Sequence, residues 1–167
     1  MSIRHTVVDT RLGRVTLVAA GDAITGLYFP HHWYRPAHET LGPRADDHLM
    51  AEAADQLIAY LAGERAGFDL PLATAGNACQ ERVWALLKQI PYGTTTTYGA
   101  LARQLGDTSL AQAVGKAVGH NPISVIVPCH RVVGSTGSLT GYAGGLARKQ
   151  FLLALEEPAP VAAGRLF

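Results

Sequence analysis

Apolar and polar residues alternate near the start of the chain: Val15, Leu17 and Ala19 are interleaved with Arg14, Thr16 and Val18, and Ile3 to Asp9 is rich in β-branched residues. A period of two with β-branched enrichment predicts strands over these two segments, joined through a turn ending at Gly13. Gly21-Asp22 supplies a second turn, and Ile24 to Phe29 continues as the third strand of a meander. The stretch from Pro30 to Pro43, with three His and three Pro, has no period and reads as a loop. The period then becomes helical. Asp46 or Asp47 can cap a helix with Leu49, Ala53, Leu57, Tyr60 and Leu61 on one face, ending at Gly63. Phe68, Leu70 and Leu72 alternate as in one more strand.

Beyond the small residues of 73–78 helical patterns dominate, which divides the chain into a domain of residues 1–76 and a domain of residues 77–167. Asn77 with Gln80 resembles a capping box and opens a helix that buries Val83, Trp84 and Leu87 and stops before Pro91-Tyr92-Gly93. Two short helices follow. Tyr98, Leu101, Ala102 and Leu105 face inward on the first, which ends at Gly106; Ser109 is expected to cap the second, with Ala111, Val114 and Val118 inward. Such a pair is either a helix-turn-helix or an ordinary helical hairpin. The apolar run Ile123 to Val127 reads as a buried strand ending at Pro128. It leads into Cys129-His130-Arg131, a glycine-rich loop from Gly134 to Gly145, and a last helix with Ala147, Phe151, Leu152 and Leu155 inward and Glu156 and Glu157 in its final turn.

With 167 residues, 48% of them hydrophobic, the chain can bury a substantial core. No apolar run approaches the roughly 20 residues that cross a bilayer, and the first residues lack the regions of a signal peptide, so a cytoplasmic protein without a membrane partner is expected. The net charge of +1 is unevenly divided: residues 1–76 carry six Lys or Arg against nine Asp or Glu, residues 77–167 eight against four. A basic second half suits a polyanion, though the excess is modest. Only two cysteines occur, Cys79 and Cys129, at no zinc-like spacing. His31, His32 and His38 form a loop cluster with no cysteine or carboxylate at ligand spacing, so no metal is expected.

A cysteine after a buried strand, beside a histidine and before a glycine loop, has the ingredients of an activated nucleophile. The thiolate is the reactive form, and a histidine oriented by a carboxylate can take the thiol proton; Glu156 is the candidate carboxylate. The alternative is that Cys129 fills the core while His130 and Glu156 are solvated. Neighbours on an extended chain point in opposite directions.

Pro128-Cys129-His130-Arg131-Val132-Val133 resembles the PCHRV motif of the O6-alkylguanine-DNA alkyltransferases, also called methylated-DNA–protein-cysteine methyltransferases. The resemblance runs through Gln80, Val83-Trp84, Pro91-Tyr92-Gly93, Tyr98, Ala113-Val114-Gly115, Asn121-Pro122, Gly141-Tyr142 and Lys149 to Leu152-Leu153-Ala154-Leu155-Glu156. It covers the second half in order; the first half matches only in element order. It implies an α+β fold, a small N-terminal antiparallel sheet with a helix followed by a mostly helical domain with a winged helix-turn-helix-like motif.

The resemblance also implies single-turnover repair of O6-alkylguanine in double-stranded DNA, without a cofactor, by a protein that is monomeric in solution and binds the minor groove with the damaged nucleotide flipped out. Cys129 matches the alkyl acceptor, His130 its base acting through a water, and Glu156 the carboxylate orienting that histidine. Asn121 matches the residue tying the helix pair to the active-site turn, and Tyr98 the hydroxyl that assists the departing guanine. Tyr142 would pack on the base, and the Ala143 amide would donate to O6. Gln112, Ala113, Arg131, Val132, Gly144 and Lys149 complete the expected substrate and DNA contacts. Ala111, Ala113, Gly115 and Ala117 would allow close approach to the DNA backbone.

Two positions depart from the family pattern: Gln112 stands where an arginine usually fills the gap left by the flipped base, and Cys79 where an aromatic residue precedes Gln80. Cys79 reads as a buried structural thiol. Two rival functions draw on the same residues. A DNA-lesion binding module without transfer would lack the acceptor thiol, which Cys129 supplies, and a thiol hydrolase would need an oxyanion assembly that the sequence does not offer.

Overall fold

The computed structural model describes residues 2–157. Strands β1 (Ile3–Thr10), β2 (Gly13–Ala20) and β3 (Ala23–Tyr28) form an antiparallel meander in the order β1-β2-β3. Its register pairs Val8 with Val15 and Leu17 with Leu27, with an irregularity at Val18/Ala19. Val15, Leu17, Ala19, Ile24 and Leu27 are fully buried on the face covered by helix α1 (His48–Leu61). Asp47, not Asp46, caps α1, accepting from the Met50 amide. The buried face of α1 also includes Met50 and Gln56, whereas Leu49 is only partly buried.

The third strand ends the meander, and its free edge is covered rather than left open. The Ile24 amide donates to Pro71 O at 2.8 Å and Ala73 N to Ile24 O at 3.0 Å. Leu27 N donates to Pro122 O at 2.9 Å, so the sheet edge runs onto the turn before Cys129. The strand expected over Phe68 to Leu72 is absent: only Leu72 bridges to Ile24. Pro71 has no amide to donate, and the Gln56 side chain occupies both Asp69 N and Asp69 O.

The second half contains α2 (Ala78–Leu87), β4 (Thr96–Thr97), α3 (Tyr98–Gln104), α4 (Ala111–Gly119), β5 (Val132–Val133) and α5 (Leu146–Glu156). The Asn77/Gln80 capping box is present, and Val83, Trp84 and Leu87 are buried. Cys79 is exposed in the first turn of α2, outside that apolar stripe, which corrects the expectation of a buried thiol. α3 and α4 pack on each other as the expected helix pair. Ser109 caps nothing. Asp107 caps the 3-10 turn Thr108–Leu110 by accepting from Ser109, because the chain tightens there before α4 begins.

The run 123–127 is buried as expected but is a tight turn rather than a strand. Val125 adopts φ 72°, a left-handed conformation that a β-branched residue holds only under constraint. The constraint comes from Asn121. Its Nδ2 donates to Val127 O at 2.8 Å and its Oδ1 accepts from Ile123 N at 3.0 Å, while Val127 N closes onto Ile123 O at 2.9 Å. In α5 Leu152 is buried, but so are Lys149 and Glu156, and Ala147 is exposed.

Candidate functional site

The Asn121 turn delivers Cys129 into a 3-10 turn, Cys129–Arg131, in which all three side chains are buried. In a 3-10 turn neighbouring side chains do not alternate as they do across an extended strand, so Cys129 and His130 are both buried. His130 Nε2 lies 2.9 Å from Glu156 Oε2. A carboxylate there takes the Nε2 hydrogen, which leaves Nδ1 as the acceptor. Nδ1 is buried and has no partner among the described protein atoms.

Glu156 is held by more than the histidine. Arg131 grips it bidentately, Nε to Oε1 at 2.7 Å and Nη2 to Oε2 at 2.8 Å, and spends Nη1 on Ile90 O at 2.6 Å. The Tyr60 hydroxyl, from α1, donates to Oε2 and lies 3.5 Å from His130 Nε2. Burial alone would raise the Glu156 carboxyl, but the hydrogen bonds from His130 and Arg131 hold it well below the usual range. Burial keeps His130 below its ordinary value although Glu156 pulls it upward. Burial likewise pushes the Cys129 thiol up, against hydrogen bonds from Asn121 and Ser124. The resting pair is therefore a thiol and a neutral imidazole.

Above Cys129 opens a cavity of about 400 Å³ lined by Tyr98, Gln112, Gly115, Val118, Tyr142 and Ala143 among others. The Tyr98 hydroxyl meets Thr140 Oγ1 at 2.8 Å, and Tyr142 Oη is buried without a hydrogen-bond partner among the described residues. Gly144 admits no side chain: a Cβ would fall 2.6 Å from the Phe29 ring, so the 141–145 segment rests directly on the sheet domain. Gln112 and Ala113 are exposed on α4, with Gly115 partly buried beside them.

Three residues grouped with the substrate contacts lie elsewhere. Lys149 is fully buried, its Nζ donating to Val132 O at 2.7 Å and Thr140 O at 3.4 Å, so it ties β5 to the pocket loop. Arg131 serves Glu156, and the Val132 side chain is in the core. Ala117 also turns inward, where its carbonyl accepts from Trp84 Nε1 at 2.8 Å. The histidines of the early loop diverge: His32 is buried between Phe29 N and Ser124, whereas His38 packs edge-on against His5.

The sequence singles out neither Tyr60 nor Trp33 as a site residue: Tyr60 reads only as a helix-face position, and nothing around Trp33 marks it as a pocket residue. His32 gives no local signal of burial either.

A buried cysteine under an open pocket, a buried histidine held by a carboxylate and a helix pair flanking that pocket are the arrangement that the resemblance to the O6-alkylguanine-DNA alkyltransferases implies. Comparison with known proteins agrees. Residues 78–158 match the model of the 6-O-methylguanine DNA methyltransferase DNA binding domain, and residues 3–74 that of the same family's ribonuclease-like domain. The chain is 48% identical over 156 residues to the methylated-DNA–protein-cysteine methyltransferase of Mycolicibacterium paratuberculosis, covering 92% of each. It is similar to the crystal structure of the Mycobacterium tuberculosis O6-methylguanine methyltransferase, with a TM-score of 0.84 and 42% identity over 97% of this chain and 99% of that one. A structure of the Mycobacterium tuberculosis OGT in complex with DNA gives a TM-score of 0.83 and 43% identity, covering 95% and 98%. The chain belongs to the 6-O-methylguanine DNA methyltransferase family.

Proposed function

We propose that this protein reverses O6-alkylation of guanine in DNA by moving the alkyl group onto its own Cys129, once per molecule. The observation that carries the reading is His130: Glu156 takes its Nε2 hydrogen, and Nδ1 is left buried, with no partner among the described residues, one residue from a buried thiol under an open pocket. Family membership and the relative in complex with DNA support the same reading.

The Cys129 proton passes through a water to His130 Nδ1 as the sulfur attacks the alkyl carbon, and Glu156 balances the imidazolium that forms. The carbon–O6 bond breaks as the carbon–sulfur bond forms, and the purine takes the electron pair. Tyr98 supplies a proton or hydrogen bond to the leaving ring, and the Ala143 amide donates to O6. A thioether has no labile bond for water to cleave, so the protein is consumed. The chemistry calls for no cofactor.

O6 is reached by flipping the nucleotide at a cost of a few kcal/mol, least where damage has weakened pairing. The outward residues Gln112 and Ala113 of α4, beside Gly115, approach the minor groove of double-stranded DNA, with Gln112 at the gap left in the stack. Tyr142, Ala143 and Gly144 wall the base. Arg131, Val132 and Lys149 support this wall and the relay from beneath instead of touching DNA. The division at residue 76 and a monomeric state belong to the same proposal.

With one equivalent of a duplex carrying O6-methylguanine, intact-mass analysis is expected to show one added methyl on the Cys129 peptide and unmodified guanine in the DNA. Cys129→Ala should abolish transfer and retain binding. Turnover beyond one equivalent, or methylation of the exposed Cys79, overturns the reading.

A further inference from the structure

His32 and Ser124 form a buried polar pair that the transfer reaction described above leaves unused. The loop after β3 holds the His32 ring between two others, stacked on Phe29 and edge-on to Tyr28, so the imidazole has a fixed plane. The next residue tethers that loop to the pocket wall: the Trp33 amide donates to Ala143 O at 3.1 Å. Ser124 belongs to the Asn121 turn that leads into Cys129, and it is fully buried.

Donors and acceptors along this pair run in one direction. The Phe29 amide donates to His32 Nδ1 at 3.1 Å, which makes Nδ1 the accepting nitrogen of the ring. Burial, with Arg35 and Arg148 nearby, lowers the His32 pKa to about 4, so at neutral pH the ring carries one hydrogen, on Nε2. Nε2 lies 3.3 Å from Ser124 Oγ and therefore donates to it. The serine hydrogen is thus turned away from the ring and, being buried, needs an acceptor of its own. Cys129 supplies one: Ser124 and Asn121 are the side chains that hydrogen-bond the thiol. Asn121 already has its nitrogen on Val127 O and its oxygen on Ile123 N.

A thiol is a weak acceptor, whereas hydrogen bonds to an ionised acceptor are about twice as strong as neutral ones. The bond from Ser124 therefore strengthens as Cys129 loses its proton towards His130, and it weakens again once the sulfur is a neutral thioether. A donor aimed at charge that develops during the reaction lowers the barrier.

We propose that Ser124 is a catalytic hydrogen-bond donor to the Cys129 sulfur and that His32 is its positioning residue, so that the N-terminal sheet region takes part in ionising the nucleophile. The proposal rests on the transfer reaction assigned above and adds to it a second polar line to the sulfur, separate from His130 and Glu156.

The test reads the sulfur with two reagents, in protein carrying Cys79→Ser so that Cys129 is the thiol that reacts. At neutral pH, Ser124→Ala should slow alkylation of the folded protein by iodoacetamide about tenfold, the scale of a lost hydrogen bond to a charged group. Single-turnover transfer from a duplex carrying O6-methylguanine should slow by the same factor. His32→Phe, which keeps a planar ring between Phe29 and Tyr28, should reproduce most of that loss and add little to it in the double variant. His32→Gln should recover the rate, because an amide can accept from Phe29 N and donate to Ser124. An unchanged iodoacetamide rate in Ser124→Ala, or losses from the two residues that multiply in the double variant, overturns the proposal. A loss confined to the DNA substrate also overturns it, since that would set Ser124 against the base and not the sulfur. Protein that reacts with iodoacetamide but takes no methyl from DNA would overturn the assigned reaction instead, and the iodoacetamide rates would still decide the role of Ser124.

Discussion

The two sides of Cys129 are built in opposite ways. Towards α5 and α1 lies a dry cluster in which Glu156, Arg131, His130 and Tyr60 are buried and bound to one another. Towards solvent lies a pocket rimmed by glycines, the exposed Gln112 and the half-exposed Trp33. The cluster fixes one atom, His130 Nδ1, by leaving it no freedom of tautomer or orientation. The rim has no comparable constraint beyond the tether at Trp33. Proton transfer tolerates little misplacement, whereas a pocket receiving a flexible strand and adducts of different size gains from small residues. Changes in the cluster should therefore damage stability and rate together, and changes in the rim should alter selectivity alone.

The sharpest way to break the comparison is Glu156→Ala. It strands the buried Arg131 charge and frees the His130 ring, so stability should fall by about 3–5 kcal/mol, as for other broken buried pairs, and transfer should slow by two orders of magnitude or more. Urea melts and single-turnover rates measure both. A stable, fast variant would mean that the cluster is not what orients His130.

Acid should weaken the link between the two halves of the molecule. His32 is buried, accepts from Phe29 N at 3.1 Å and lies 3.3 Å from Ser124 Oγ, and burial, with Arg35 and Arg148 nearby, pushes its pKa down from 6.5 to about 4. Because the folded value lies below the unfolded one, the unfolded chain binds the proton first as pH falls. The stability present above pH 6.5 is thus lost progressively down to about pH 4, by an amount on the order of 3 kcal/mol. His32→Gln should flatten the dependence of the urea midpoint over that window. An identical pH dependence in both proteins would place the proton elsewhere.

A gentler cut into the cluster is Tyr60→Phe, which removes one donor from Glu156 and leaves His130 and Arg131 in place. A loss of about 1–2 kcal/mol is expected. With less competition for Oε2 the His130 imidazolium is better stabilised, so the acid limb of the pH–rate profile should move to higher pH. A stability loss with no movement of that limb would make Tyr60 a packing residue only.

The smallest effect belongs to the rim. Gln112→Arg should speed transfer severalfold on duplex DNA, where a planar guanidinium fills the gap better than an amide. Single strands and the free base should respond little, and stability should change by less than about 0.5 kcal/mol. Equal acceleration on all three substrates would move the effect of residue 112 into the chemical step.

Local sequence determined the regular elements and the reactive words. The alternation of β1 to β3, the Asn77/Gln80 capping box, the α1 and α2 faces and the order Cys129-His130-Arg131 are legible because strands, caps and helices are set by neighbours a few residues apart. The apolar run 123–127 reads as a strand although it is a turn, because hydrophobicity reports burial and not backbone direction. What only the tertiary structure decided is everything that depends on distant segments meeting. Tyr60 meets Glu156 across 96 residues, Ser124 meets His32 across 92, and Trp33 closes over Gly119 and Gly141. Lys149, expected among the substrate and DNA contacts, is buried because two backbone carbonyls converge on it. Composition and period record how a residue prefers to be solvated and how its own segment folds, but a partner brought in by packing leaves no mark on the neighbouring sequence.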